Sequence, residues 1–217
     1  MKTEMQFLKE ELKNVSEMIF SGMPFYKGTI GNVDIVLTEC GIGKVNAAIY
    51  TQILIDKFQV DAIINTGIAG SLDNKVQHLS IVIADTITYY DVRKGQLINC
   101  YPYQEYFTAD EKLTQLLYDS SEKNTTMIGR IITGDDFISD RSRKEVLKKE
   151  YRALCVEMEG AAIAHAAYVN QTPFCVVRCI SDMADESSDK DYKQYEQIAA
   201  EKVAKMVYKT IMGLCPL

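Results

Sequence analysis

The sequence predicts an α/β sandwich built around a largely parallel sheet, in one domain covering residues 1–217. Three observations predict it. Short runs rich in Ile, Val and Thr alternate with helical stretches along the whole chain. Two of those runs, residues 62–66 and 174–180, are almost wholly apolar, as suits strands covered on both faces. And no repeat, low-complexity stretch or linker divides the chain, whose 217 residues suffice for one sizeable core.

The elements follow in order. Met5, Leu8, Leu12, Val15 and Ile19 fall three or four apart and predict an amphipathic helix over residues 3–20. Residues 25–30 and 33–37 flank Gly31-Asn32, a pairing that reads as a hairpin. Gly41-Ile42-Gly43 opens a helix of about 15 residues from Lys44. The run over 62–66 stops at Gly67. Residues 80–90 form a longer strand, and helices are expected near 109–120 and 142–150 with a strand over 127–133 between them. Residues 157–169 are Ala-rich and read as a helix ending before Pro173. After the strand 174–180, Ser188 or Asp189 can cap a final helix with Tyr192, Tyr195, Ala199, Val203, Met206 and Val207 on one face.

Bulk properties exclude several classes of function. Net charge is −6, and no basic stripe interrupts it, so nucleic acid and anionic membranes are poor partners. No apolar run reaches the roughly 18 residues that span a bilayer, and the charged N-terminus lacks a secretory core. A cytoplasmic location is expected. The six cysteines form no C-x-x-C pair and no zinc spacing. Cys175 and Cys179 would lie about 13 Å apart on a strand, beyond disulfide reach, so buried free thiols are expected.

Chemistry concentrates in three segments. In open α/β sheets ligands bind beyond the carboxyl ends of the strands, which points to residues 66–70, 134–138 and 181–185. Asn65-Thr66-Gly67-Ile68-Ala69-Gly70 carries glycines at a strand end, where backbone can approach a ligand or simply turn. Val156-Glu157-Met158-Glu159-Gly160-Ala161-Ala162 places two carboxylates before an apolar helix. The helix dipole alone favours acids there, but acids beside a buried helix call for a further reason. In Arg178-Cys179-Ile180-Ser181-Asp182-Met183-Ala184-Asp185 a charge sits inside a hydrophobic strand and needs a partner. Asp182 follows at the strand's end, as a functional acid or as part of an internal clamp.

With Gly41-Ile42-Gly43-Lys44-Val45-Asn46-Ala47-Ala48 and Thr133-Gly134-Asp135-Asp136-Phe137-Ile138, these segments resemble, in order, the motifs of the 5′-methylthioadenosine/S-adenosylhomocysteine nucleosidases within the nucleoside phosphorylase/hydrolase superfamily. The resemblance implies a nucleoside phosphorylase-like three-layer sandwich with a central mixed sheet, and hydrolysis of the N-glycosidic bond to release adenine. By resemblance, Asp182 protonates N7 of the departing adenine, which requires a carboxyl with a raised pKa, and Ser181 orients it. The backbone at Ile138 pairs with the adenine edge, Phe137 stacks on the ring, and Ala69 and Gly70 line the base and ribose. Glu159, helped by Met158, binds the ribose hydroxyls and suits an oxocarbenium-like transition state. Glu157 and Arg178 help fix the water and sugar. Ile42 and Tyr192 flank the 5′-thio substituent. Met1-Lys2-Thr3-Glu4-Met5 matches the end of a family pattern whose glutamate activates water, which makes Glu4 the candidate base.

The resemblance also implies a homodimer, a small-molecule nucleoside as the partner, and neither metal nor organic cofactor. It departs from the family in lacking the first strand, expected ahead of Met1, and in a shorter segment over 90–96, which leaves the preferred thio substituent open. Ile68 stands where many members have serine. His78 takes no role, and His165 is expected to pack in the core. Three alternatives stand beside this reading: a purine nucleoside phosphorylase, a futalosine-type nucleosidase, and a non-catalytic nucleoside-binding homologue. The first would need convergent arginines for phosphate, and Ile63-Ile64-Asn65-Thr66 supplies none.

Overall fold

The computed structural model describes residues 2–214, with side chains from Met5 onward. The expected side-chain role of Glu4 and the strand expected ahead of Met1 therefore lie outside the described residues. Helix α1 (Lys2–Glu11) is shorter than the period suggested, because strand β1 (Lys13–Phe20) follows at once. Val15 and Ile19, four apart, also lie on one face of a strand. They stay 47% and 70% exposed while Leu8 and Leu12 are buried. Asn14 takes a left-handed φ of 53°, beside an irregularity in the pairing between Lys13 and Ser16.

Strand β2 (Met23–Ile30) pairs antiparallel with both β1 and β3 (Val33–Thr38), forming a three-stranded sheet. Ile30 faces Val33 across the Gly31-Asn32 turn, and Gly31 supplies the positive φ of 58° that a two-residue hairpin loop needs.

The second sheet contains β4 (Ile63–Ser71), β5 (Ile81–Tyr89), β6 (Phe107–Thr108), β7 (Thr126–Thr133), β8 (Cys155–Glu157) and β9 (Phe174–Asp182). Its order is β6-β5-β7-β8-β4-β9, and β5 pairs again with β9. The sheet thus closes on itself, which corrects the expected three-layer sandwich. Closure comes from β5. Its first residues, Ile81–Ile83 in number 81–83, face Cys179, Arg178 and Val177 of β9, while its pairing with β7 shifts register between Ala84 and Ile87. Such a bulge bends a strand and re-aims it. The sheet is mixed, as expected, but not largely parallel: β4–β9, β5–β7 and β7–β8 run parallel, whereas β4–β8, β5–β6 and β5–β9 run antiparallel.

The helices α2 (Lys44–Phe58), α3 (Lys94–Asn99), α4 (Glu111–Asp119), α5 (Arg141–Tyr151), α6 (Gly160–Val169) and α7 (Ser188–Gly213) complete the chain. Asp110 and Asp140 accept from the backbone amides of Leu113 and Arg143 and cap α4 and α5. The final helix is entered through Ser187, which makes no side-chain cap. Helix α7 packs on β4 and β9, and α6 packs on α2. Every residue of β9 is buried, and so is every residue of β8. Cys155, Cys175 and Cys179 are buried free thiols, but Cys100 is exposed, against the expectation for it. No helix of the described residues is long and apolar enough to cross a membrane.

Candidate functional site

β4 runs parallel to β9, so their carboxyl ends lie together, and the register sets Gly70 of β4 opposite both Val156 of the antiparallel β8 and Asp182 of β9. The run expected to stop at Gly67 continues to Ser71, and the β4–β9 register slips between Ala69 and Gly70 so that Gly70 faces Asp182. A Cβ at Gly70 would lie 2.7 Å from Asp182 Oδ1 and 3.2 Å from the Ala184 Cβ. Glycine is required there by close approach, not by a turn.

Asp182 is 2% exposed. Its Oδ2 accepts from Ser181 Oγ at 2.9 Å, and its Oδ1 accepts from the Ala184 amide at 2.9 Å. Among the described residues no cation pairs with it. Burial disfavours the charged form and raises its pKa above the usual carboxylate value, against the opposing pull of these hydrogen bonds.

Glu157 ends β8 rather than opening a helix, which corrects the expected helical start, and α6 begins at Gly160. The carboxylate of Glu157 is saturated. Its Oε2 accepts from Arg178 Nη2 at 2.5 Å and from the amides of Glu159 and Gly160 at 3.0 and 2.7 Å, and its Oε1 accepts from Thr133 Oγ1. Arg178 also donates to Asn65 Oδ1 at 2.5 Å. The clamp expected inside β9 is therefore built from Arg178, Glu157 and Asn65, and Asp182 stands outside it.

Glu159 lies beyond the strand and reaches the start of α2, where its Oε1 accepts from the Gly43 amide at 2.9 Å. The Lys44 amide donates to Asp135 Oδ1 at 3.0 Å. Both acids use the exposed amides and positive end of the helix. Lys44 Nζ is held by Asp91 at 2.5 Å and Asp135 at 3.4 Å. The loop after β7 is shaped by Gly134, where any Cβ would strike the Tyr90 ring, and by Tyr90, which donates to the Asp136 carbonyl at 3.0 Å. The loop buries Ile138 and leaves Phe137 43% exposed, edge-on to Tyr192 with ring centroids 5.9 Å apart.

One cavity of about 1010 Å³ is lined by Asp182, Glu159, Glu157, Arg178 and Ser181 together with Ile42, Ala69, Gly70, Phe137, Ile138, Met158 and Tyr192. Its volume is at the upper end of the roughly 300–1,000 Å³ usual for ligand pockets. All the expected lining residues with described side chains thus share one cleft. Sequence reasoning missed Thr133, which bonds Glu157 and accepts from the Ala161 amide at 2.8 Å, and the side chain of Asn65. Both stand inside quoted motifs, yet nothing in their type singles them out. His165 stacks on Phe107 with ring centroids 5.0 Å apart, as a packed residue would. His78 pairs with Asp191 at 3.1 Å. Among the described residues no three His, Cys, Asp or Glu side chains group as a metal site would require.

The arrangement sets a buried carboxyl with a raised pKa, Asp182, at one wall of a cleft and a second acid, Glu159, at another. Comparison with known proteins gives the same direction. The sequence matches the profile of the Phosphorylase superfamily over residues 1–212. It is 35% identical to a 5′-methylthioadenosine/S-adenosylhomocysteine nucleosidase of Staphylococcus aureus over 223 residues, covering 99% of this chain and 97% of that one. The structure is similar to that of the corresponding Streptococcus pneumoniae nucleosidase with the transition-state inhibitor MT-ImmA (TM-score 0.94, 33% identity, 99% of this chain and 96% of that one). It is also similar to the futalosine hydrolase of Helicobacter pylori strain 26695 (TM-score 0.92, 28% identity, 99% and 95% covered).

Proposed function

The chain belongs to the Phosphorylase superfamily, and from that premise we propose that it hydrolyses the N-glycosidic bond of 5′-methylthioadenosine and S-adenosylhomocysteine, releasing adenine and a 5-thio-substituted ribose. One observation carries this reading: Asp182, a carboxyl whose pKa burial raises, shares a cleft with Glu159. Cleavage of C1′–N9 leaves electrons on the purine and positive charge on the sugar. Asp182 hands its proton to N7, Ser181 orients it, and the carboxylate of Glu159 binds the ribose hydroxyls with Met158 and favours the developing cation. Water completes the reaction at C1′, and Glu4 is the proposed base. Ile138 and Phe137 take the adenine, Ala69 and Gly70 the base and ribose side, and Ile42 and Tyr192 the thio substituent.

The clamp revises two roles. Glu157 and Arg178 pair with each other, so we assign them to shaping the floor under Glu159 rather than to handling water. Hydrolysis is favoured over phosphorolysis because the α2 amides already bind Glu159 and Asp135, and Lys44 is held by two acids. A phosphate dianion would meet acids where it needs cations.

The proposal includes a cytoplasmic homodimer. Support for the dimer is an apolar surface with Ile42 57% exposed just ahead of α2 and Val45 71% and Ile49 45% exposed on it, with Tyr101 near Val45 and Tyr103 edge-on to Tyr101. Ile42 also lines the cleft, so a second copy there would close its thio end.

Adenine release from 5′-methylthioadenosine, followed with and without phosphate, tests the reaction. The expected result is release independent of phosphate, and a loss of about 10²–10⁴ in Asp182→Asn, the usual share of a general acid. An active Asn variant would remove the leaving-group assignment. No release from this nucleoside but release from futalosine would move the substrate, and no release from either would leave a binding protein.

A further inference from the structure

Helix α5 turns its buried face inward through Lys144, Leu147 and Tyr151, at spacings of three and four. Two of these are the large apolar residues that such a stripe wants. The third is a lysine, only 5% exposed. Its ammonium donates to the carbonyl of Met183 at 2.6 Å. A buried ammonium is expensive to keep, and burial pulls the pKa of Lys144 below the ordinary lysine value. A methionine or leucine would complete the stripe without that cost.

The bond lands on the turn that holds Asp182. Met183 precedes Ala184, which is fully buried and sits at a left-handed φ of 50°, a strained conformation for a residue with a Cβ. Only in that turn does the Ala184 amide point at Asp182 Oδ1. The next amide, of Asp185, donates to Ser188 Oγ at 2.8 Å and joins the turn to α7. We propose that Lys144 is a positioning residue: its ammonium pins the Met183 carbonyl, holds the strained turn at Ala184 and so aims the Asp182 carboxyl into the cleft. The inference rests on the reading of Asp182 as the general acid.

Lys144 does not act by its charge on Asp182. The groups that face Asp182 are the hydroxyls of Ser181 and Ser188, the Ala184 amide and, from α7, the carboxylate of Asp191. Those that face Lys144 are Asp185, Glu145, Lys148 and Arg141. The coupling runs through the turn. The Ala184 amide stabilises the ionised carboxylate. If the turn relaxes and that bond is lost, the pKa of Asp182 rises further, and the protonated acid survives to higher pH.

The test uses Lys144→Met, which fills the stripe and cannot donate. Adenine release should show kcat down about tenfold to a hundredfold, the scale of a misplaced catalytic group. KM should stay within about twofold, because the cleft walls are untouched. The alkaline limb of kcat should move to higher pH, which a general loosening would not do. Lys144→Arg, which keeps a cationic donor, should recover most of the rate. If the methionine variant does not fold, Lys144→Ala carries the same readings, since alanine keeps α5 helical and leaves no donor. A folded Met or Ala variant with wild-type kcat and an unmoved limb overturns the inference, as does an Arg variant no better than Met. Asp182→Asn, run alongside, separates the two ideas. If it stays active, the general-acid reading has failed; if it is inactive while Lys144→Met is fully active, only the positioning inference has.

Discussion

Asp182 and Glu157 are two carboxyls at strand ends in one cleft, 2% and 5% exposed, and burial alone does not tell them apart. Their surroundings do. Glu157 faces the guanidinium of Arg178 and accepts from two backbone amides and a hydroxyl. Asp182 faces two hydroxyls, one amide and another acid. One carboxyl is clamped as an anion that organises backbone. The other is pushed toward its neutral form and can give up a proton. The proposed general acid and the clamped acid are separated here by one cation, placed four residues before Asp182 on the same strand but reaching across to β8.

Removing that cation is the most severe way to break the contrast. Arg178→Met leaves Glu157 buried with no opposite charge, and breaking a buried pair this way costs about 3–5 kcal/mol. Urea denaturation should show that loss at neutral pH. Arg178→Met combined with Glu157→Gln should regain part of it. Equal stability of the single variant and the wild type would mean that the clamp is not a structural requirement.

A smaller intervention disturbs Asp182 and leaves Glu157 alone. Gly70→Ala puts a methyl group 2.7 Å from Asp182 Oδ1, against a carboxyl held in place by the Ser181 hydroxyl and the Ala184 amide. Overpacking of this kind costs about 1–3 kcal/mol. The rate of adenine release should fall with it, and the Arg178–Glu157 clamp should be unaffected. A wild-type rate in Gly70→Ala would show that the carboxyl can shift without consequence.

Much of this contrast was legible in the sequence, for a local reason. Arg178 and Asp182 stand out because β9 is otherwise a run of apolar residues, so any charge in it demands an explanation. What was illegible depended on partners distant in the chain. Val15 and Ile19, four apart, satisfy a helical and a strand period alike, and only pairing with β2 decides for β1. Gly67 and Gly70 look like stops, yet β4 runs through both because its neighbours β8 and β9 hold it extended. Residues 155–157 make a strand too short to show alternation, so Glu157 was read with the helix that follows. Closure of the sheet depends on a bulge in β5 and its second pairing with β9, neither of which has a local signal. Lys144 sits in Arg141-Ser142-Arg143-Lys144-Glu145, a stretch that looks wholly solvated, and only the packing of α5 reveals it as buried.

The mildest intervention compares stability rather than rate. In Asp182 the folded-state pKa lies above the unfolded one. Between those two values the folded protein binds more protons than the unfolded chain, so stability falls as pH rises through that window and is fully present only below the unfolded pKa. At neutral pH the wild type therefore carries a penalty for burying the proposed general acid. Asp182→Asn has nearly the same shape and no proton to lose, so it escapes the penalty. Melting temperatures of the two proteins should lie closest in mild acid, near the unfolded carboxylate pKa of about 3.9, and diverge toward neutrality in favour of the inactive variant. Glu157→Gln should instead be destabilised, because that substitution strands the buried Arg178 without its partner. A constant gap between wild type and Asp182→Asn across the range would mean that burial does not set the protonation of Asp182, and the distinction between the two acids would have to rest on geometry alone.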